Sequence, residues 1–342
     1  MLLDLDFNEL SEYVVSLGEQ KFRAKQLFEA LTLGKTLDEV SNLPKSFKQK
    51  IESEYPKYDV VAHLKSADGT QKVALRFPDG SVVETVLLKY KYGYTVCVST
   101  QVGCRMGCKF CASTLNGLIR NLTAGEILAQ ILFFNKILGG TLKERQVTNV
   151  VLMGCGEPLD NYDNVIKFLK LVSVPEGINI SPRNISLSTC GLVPKIYSLA
   201  DDGALVTLTI SLHAPNDELR KTIMPVANAY KIEDILKACD YYFEKTGRRV
   251  YFEYSLISGV NDTDKVIEEL AKILKGRQCH VNLIPLNSVK EKNLIGVTRK
   301  RAYVIAGKLE KLGISATVRR TMGEDIEGAC GQLRNRVEVE NA

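Results

Sequence analysis

The chain has 342 residues, 45% hydrophobic and 25% charged, enough to bury a sizeable core in one large domain with a small one beside it. Its formal charge of +5 falls short of the balance of a dedicated nucleic-acid coat protein, so bulk charge by itself does not establish an RNA partner. An apolar run of about 18 residues and a basic, apolar, small-residue leader are both missing, which argues against a membrane span or export signal and makes the cytoplasm the expected location.

Residues 1–58 read as a small helical module. In FRAKQLFEAL, Phe22, Ala24, Leu27, Phe28 and Leu31 recur near helical spacing, and residues 42–47 offer a turn before another short helix. Between residues 60 and 88, KVALRF and SVVETVLL alternate around Pro78, Asp79 and Gly80, which predicts a β-hairpin linking the module to the main body. From Tyr94 the pattern becomes short apolar runs separated by amphipathic helices, with six strand candidates: TVCVST, VTNVVLM, RNISLST, LVTLTIS, VYFEYSL and HVNLIPL. Helices are expected from Thr123 and Glu126, in capping-box spacing, and over 164–171, 231–244, 264–274 and 298–312; ISATVRR supplies a seventh strand. Repeated β-then-α units imply a parallel sheet covered on both faces, either a partial barrel or a doubly wound sheet.

Polar residues interrupt these strands at their C-terminal ends: Gly154 to Glu157 after the second, Ser188 and Thr189 on the third, Ser211 and His213 on the fourth, and Asn287 after the sixth. That rim is where parallel α/β folds bind ligands. Basic residues cluster at Lys21, Arg23 and Lys25, at Arg299, Lys300 and Arg301, and at Arg319 and Arg320, which read equally well as solvated faces or as contacts to RNA.

Nine cysteines without an export signal point to metal or redox chemistry rather than a disulfide framework. Three are grouped as Cys104-x3-Cys108-x2-Cys111, just after the first strand of the repeating units. Three thiolates can hold three irons of a cubane and leave the fourth open to chelate the amino and carboxylate groups of S-adenosylmethionine (SAM). The competing reading is a zinc knot completed by Cys97, although no second Cys-x2-Cys or Cys/His hairpin is present to pair with Cys108-x2-Cys111.

The cysteine spacing, with Phe110 before the last ligand, matches the radical SAM signature. CVSTQVGC, MGCGEPLDNYDNV, SLHAPND, NLIPLN and GEDIEGACGQLR resemble the RlmN branch of that superfamily, which shares its mechanism with the Cfr resistance methyltransferases; with FRAKQLFEAL, the resemblance covers essentially the whole chain. It implies an α/β fold: a partial (β/α)6 radical SAM barrel over 94–342 with a C-terminal catalytic loop, preceded by a helical domain over 1–58 and a hairpin linker over 59–93.

Carried onto matching positions, the resemblance implies that Cys104, Cys108 and Cys111 bind a 4Fe-4S cluster, and that Gly156, Glu157, Ser188, Ser211, Leu212, His213 and Asn287 line the SAM site. It implies that Cys330 takes a methyl group from one SAM, that a second SAM supplies a deoxyadenosyl radical, and that the resulting methylene adds to carbon 2 of adenine. Cys97 matches the thiol that releases product through a transient disulfide, and Glu84 the proton acceptor; without the resemblance these two read as a core thiol and the solvent face of a hairpin. The implied partners are 23S rRNA, tRNA next to the anticodon, and an electron donor such as flavodoxin, acting on a monomer. Pro158 favours carbon 2 over the carbon-8 chemistry of Cfr-like proteins. Cys155 and Cys190 are expected to have no catalytic role, and Cys239 and Cys279 to be packing residues. A radical SAM enzyme on a small molecule, or an RNA-binding module with structural metal, leaves Cys330 unexplained.

Overall fold

A computed structural model describes residues 1–334. The N-terminal module folds as α1 (Phe7–Ser16), α2 (Phe22–Thr32) and α3 (Lys45–Ile51). Asp6 starts α1 through a capping box with Glu9, satisfying amides that the first turn leaves unpaired. The apolar faces of these helices, including Leu10, Leu27, Phe47 and Ile51, are continuous with the main core. The chain's first turn also lies tightly on the body: Gly125 donates its amide to Asp4 at 2.7 Å, and a Cβ on Gly125 would stand 2.8 Å from Leu3.

Next come β1 (Asp59–Lys65), β2 (Gln71–Arg76), β3 (Val82–Tyr90) and β4 (Gly93–Cys97), each antiparallel to the one before. The segment predicted as a two-stranded linker is thus a three-stranded meander, and β3 pairs directly with β4, so the meander forms one edge of the main ten-stranded sheet. β1 gave no warning because most of its residues are exposed and no apolar alternation marks it.

A small ribbon, β5 (Gln101–Gly103) with β6 (Leu118–Asn121), closes off the loop carrying the three grouped cysteines. The remaining elements alternate: α4 (Ala124–Ile137), β7 (Val147–Leu152), α5 (Tyr162–Ser173), β8 (Ile185–Thr189), α6 (Val193–Asp201), β9 (Thr207–Ser211), α7 (Asp217–Ile223), α8 (Ile232–Thr246), β10 (Val250–Leu256), α9 (Asp264–Leu274), β11 (Cys279–Pro285), α10 (Arg299–Lys311) and β12 (Ala316–Val318). Strands β4, β7, β8, β9, β10, β11 and β12 are parallel neighbours in that order, which is the partial barrel expected from six crossover units. Their C-terminal ends share one rim. Among the described residues, no helix is long and apolar enough to cross a membrane.

Thr123 caps α4 through its hydroxyl to the Glu126 amide, while Glu126 returns a bond to the Thr123 amide. Replacing Thr123 with Ala is expected to lower the unfolding free energy by about 1 kcal/mol, measured by urea denaturation of the full chain.

Candidate active site

The rim encloses a cavity of about 150 Å³, and the loop after β12 covers it. Cys104, Cys108 and Cys111 line it together with Gly156, Glu157, Ser188, Ser211, His213, Asn287 and Cys330, so ten of the thirteen positions carried over from the resemblance meet in one space. Leu212 does not line it. Its side chain is fully buried, and its carbonyl instead accepts a bond from Arg220.

The two glycines of the Gly154 to Glu157 turn are required by close backbone approach. A Cβ on Gly154 would lie 2.6 Å from the Val98 carbonyl oxygen, and Gly156, at φ +109, would meet Gln101 at 2.6 Å. Hydrogen bonds lock the two segments together: Gly154 N to Val98 O, Cys155 N to Ser99 Oγ, and Glu157 N to Gln101 Oε1. The Glu157 carboxylate accepts from the amides of Leu159 at 3.0 Å and Cys190 at 2.7 Å, which fixes its orientation on the cavity wall. Its burial nevertheless pushes its pKa up, so a cationic ligand beside it would be favoured.

Burial likewise raises the pKa values of Cys104, Cys108 and Cys111, the second to about 12. Three such thiols give up their protons readily only to a cation bound among them. A cubane takes one thiolate per iron, and Cys104, Cys108 and Cys111 all line one cavity. The three thiols present fit a group of that kind.

Cys330 also lines a second, narrower cavity, shared with Cys97, Val86, Tyr90, Arg319 and Leu333. Cys97 packs against Val86 and Leu333, and burial pushes its pKa up to about 12. Glu84 is no solvent-facing hairpin residue: it is only 7% exposed, pairs with Lys72 at 3.0 Å and accepts the Arg334 amide at 2.7 Å. Desolvation outweighs these partners and raises its pKa.

Sequence reasoning missed two charged groups here. Arg220 reads as an exposed helix cation, yet it is fully buried and donates to the carbonyls of Cys190, Ser211 and Leu212, tying two strand ends together. Glu253, in the apolar run of β10, lines the first cavity and pairs with Arg319 at 3.4 Å. The signal for Glu253 was present, a carboxylate inside VYFEYSL; for Arg220 there was none. His213 sits at φ +57, its Nδ1 accepting from the Ser255 amide and its ring edge-on to Phe110. Cys190 lines the first cavity and Cys155 is fully buried behind it, while Cys239 and Cys279 are buried in the core.

Comparison with known proteins places this architecture. Residues 98–274 match the Radical SAM superfamily, and residues 1–55 match the Ribosomal RNA large subunit methyltransferase N-terminal domain. A probable dual-specificity RNA methyltransferase RlmN of Clostridium perfringens (strain SM101 / Type A) is 53% identical, covering 97% of this chain and 96% of that protein; its counterpart in Lachnospira eligens is 52% identical, covering 97% and 95%. The crystal structure of a radical SAM methyltransferase from Sphaerobacter thermophilus superimposes with a TM-score of 0.93 at 42% identity, over 98% of this chain and 99% of that one.

Burial lowers the His213 pKa from 6.5 to about 3. Above pH 6.5 the ring is neutral both folded and unfolded; as the pH falls toward 3 the unfolded chain takes up a proton that the folded chain refuses, so stability declines by about 1.4 kcal/mol per pH unit. The His213→Asn variant, which tolerates the positive φ, is expected to show a correspondingly flatter loss of urea midpoint between pH 6.5 and 4.

Proposed function

We propose that this chain, which belongs to the RlmN family of radical SAM RNA methyltransferases, methylates carbon 2 of an adenine in 23S rRNA and in tRNA beside the anticodon, working as a cytoplasmic monomer with a flavodoxin-type electron donor. The observation that carries the reading is the position of Cys330, whose side of the loop faces the three grouped thiols in one cavity and Cys97 in the other. One sulfur can then receive a methyl group on one side and deliver it on the other.

When bound, a 4Fe-4S cluster on Cys104, Cys108 and Cys111 and the SAM beside it supply a methyl group and, from a second SAM, a carbon radical that removes hydrogen. The chain's own residues do the rest. Gly156, Glu157, Ser188, Ser211, His213 and Asn287 shape the wall on which SAM is oriented, with the Glu157 carboxylate suited to the ammonium of its methionine part. Asn287 donates to the Cys330 carbonyl at 3.0 Å and so fixes the loop that bears the acceptor sulfur. Cys330 holds the methyl carbon by a thioether bond until that carbon is joined to carbon 2 of adenine.

Glu84, its pKa raised by burial, takes the proton that carbon 2 loses; a carboxylate of elevated pKa is the stronger base. Cys97 then loses its proton and attacks the sulfur of Cys330, the carbon–sulfur bond breaks, the released carbon takes up a proton to become methyl, and the two sulfurs become a disulfide, which a cellular thiol reduces. The one unpaired electron left over from the radical addition would return to the cluster when it is bound. Burial keeps Cys97 protonated at neutral pH, so it rests as a thiol and becomes a nucleophile only on losing its proton during the cycle.

Mass analysis of anaerobically purified protein is expected to show one methyl group on Cys330; RNA methylated by protein whose Cys330 never carries one would sink the covalent route. Cys330→Ala is expected to abolish RNA methylation. With Cys97→Ala the carbon–sulfur bond has no partner thiol to break it, and RNA should remain covalently attached to Cys330, visible as a denaturation-resistant shift on a gel. Alanine at Cys104, Cys108 or Cys111 should remove iron and the brown colour together, read by iron assay and visible absorbance.

A further inference from the structure

The tip joining β3 to β4 carries Lys89, Tyr90, Lys91, Tyr92 and Gly93, and neither the thiols nor the SAM wall uses it. β3 ends at Tyr90 and β4 begins at Gly93, so Lys91 and Tyr92 alone make the turn. Gly93 has φ +131, and a Cβ there would stand 2.5 Å from Thr148 Oγ1, so the turn closes against β7 only with glycine. This tight turn lays one tyrosine over the other: the rings of Tyr90 and Tyr92 are 5.0 Å apart and 5° from parallel.

The two rings face different surroundings. Tyr90 is half-buried and lines the cavity that holds Cys97 and Cys330, while Tyr92 is 67% exposed. The pair is therefore an aromatic step leading from the reacting sulfur to solvent, fixed in orientation by the turn. Lys89 and Lys91 stand exposed on either side of Tyr90 in sequence, and Arg320, also exposed, lines the same cavity from the loop that follows β12. A planar π-surface flanked by cations matches single-stranded RNA, in which bases alternate with phosphates.

We propose that the Tyr90–Tyr92 stack is a base platform that receives the nucleotide adjoining the target adenine, with Lys89, Lys91 and Arg320 serving the neighbouring phosphates. The inference rests on the RNA methyltransferase reading and deepens it, because it assigns the element that sets how an unpaired strand threads into the cavity. Tyr92 is a positioning residue that acts on the substrate strand, and since every base has a π-face, the platform discriminates by strandedness and geometry more than by base identity.

The test uses the cluster-loaded full chain and an RNA stem-loop in which 2-aminopurine replaces one nucleotide at a time on either side of the target adenosine. Wild type and Tyr92→Phe are expected to quench the probe at one flanking position, and Tyr92→Ala not to. Tyr92→Ala should raise KM for RNA by about 5- to 100-fold with a smaller change in kcat and unaltered methyl content on Cys330. A Lys89→Ala, Lys91→Ala double variant should weaken RNA binding, with a shallower salt dependence, yet keep the quenching. Tyr92→Ala protein that quenches and methylates like wild type overturns the proposal and leaves the stack as a cap on the sheet. Wild-type protein that neither binds nor methylates RNA sinks the broader reading along with it.

Discussion

The loop over residues 323–334 is held on the sheet ends by bonds to segments far away in sequence, and the placement of Cys330 follows from them. The Gly331 carbonyl accepts from the Ala112 amide and the Leu333 carbonyl from Ser113, both in the segment following the grouped cysteines. Asn287 reaches the Cys330 carbonyl, Gln332 reaches Ser288, and Glu84 receives the Arg334 amide. At the other end, Asp68 accepts the Gly323 amide and Lys72 donates to the Glu327 carbonyl. A loop with so little regular structure gains a defined shape only because its backbone groups find partners on several elements at once.

That arrangement makes the β-meander part of the wall of the candidate site rather than a tether. Asp68, Lys72 and Glu84 all belong to it, and each bonds to the loop or to a group that does. The N-terminal helices are joined to the same body through a shared core and the Leu3 contact with α4, so the elements flanking the barrel are fixed relative to its rim.

The site also concentrates ionisable groups that water no longer reaches. Burial raises the grouped thiols, Cys97, Glu84 and Glu157 and lowers His213. Arg220 and Arg319 put two guanidinium groups among them, the first held by three carbonyls and the second facing Glu253 and the Met153 sulfur. Low local dielectric makes each charge costly alone and strongly felt by its neighbours. Such clusters of shifted groups in a cleft mark it as a candidate functional site.

The repeating strands and helices were legible from periodicity, because apolar spacing acts over a few residues: HVNLIPL and the helix over 264–274 lie where the pattern put them. The cysteine spacing announced soft-metal chemistry for a similar reason, being contained in one short loop. Residues whose environment is made by distant partners gave no such sign. Glu84 has the local pattern of a solvent-facing strand residue and is buried beside Lys72 with the Arg334 amide bonded to it; Arg220 has the pattern of a surface helix and is buried with its guanidinium bonded to the carbonyls of two strand ends. Sequence alone determined which short segments form and which thiols stand together, since those depend on neighbours along the chain. Tertiary structure decided that one cysteine faces two cavities, that the meander completes the sheet, and that two turn tyrosines stack at the cavity wall, since these depend on contacts between segments tens to hundreds of residues apart.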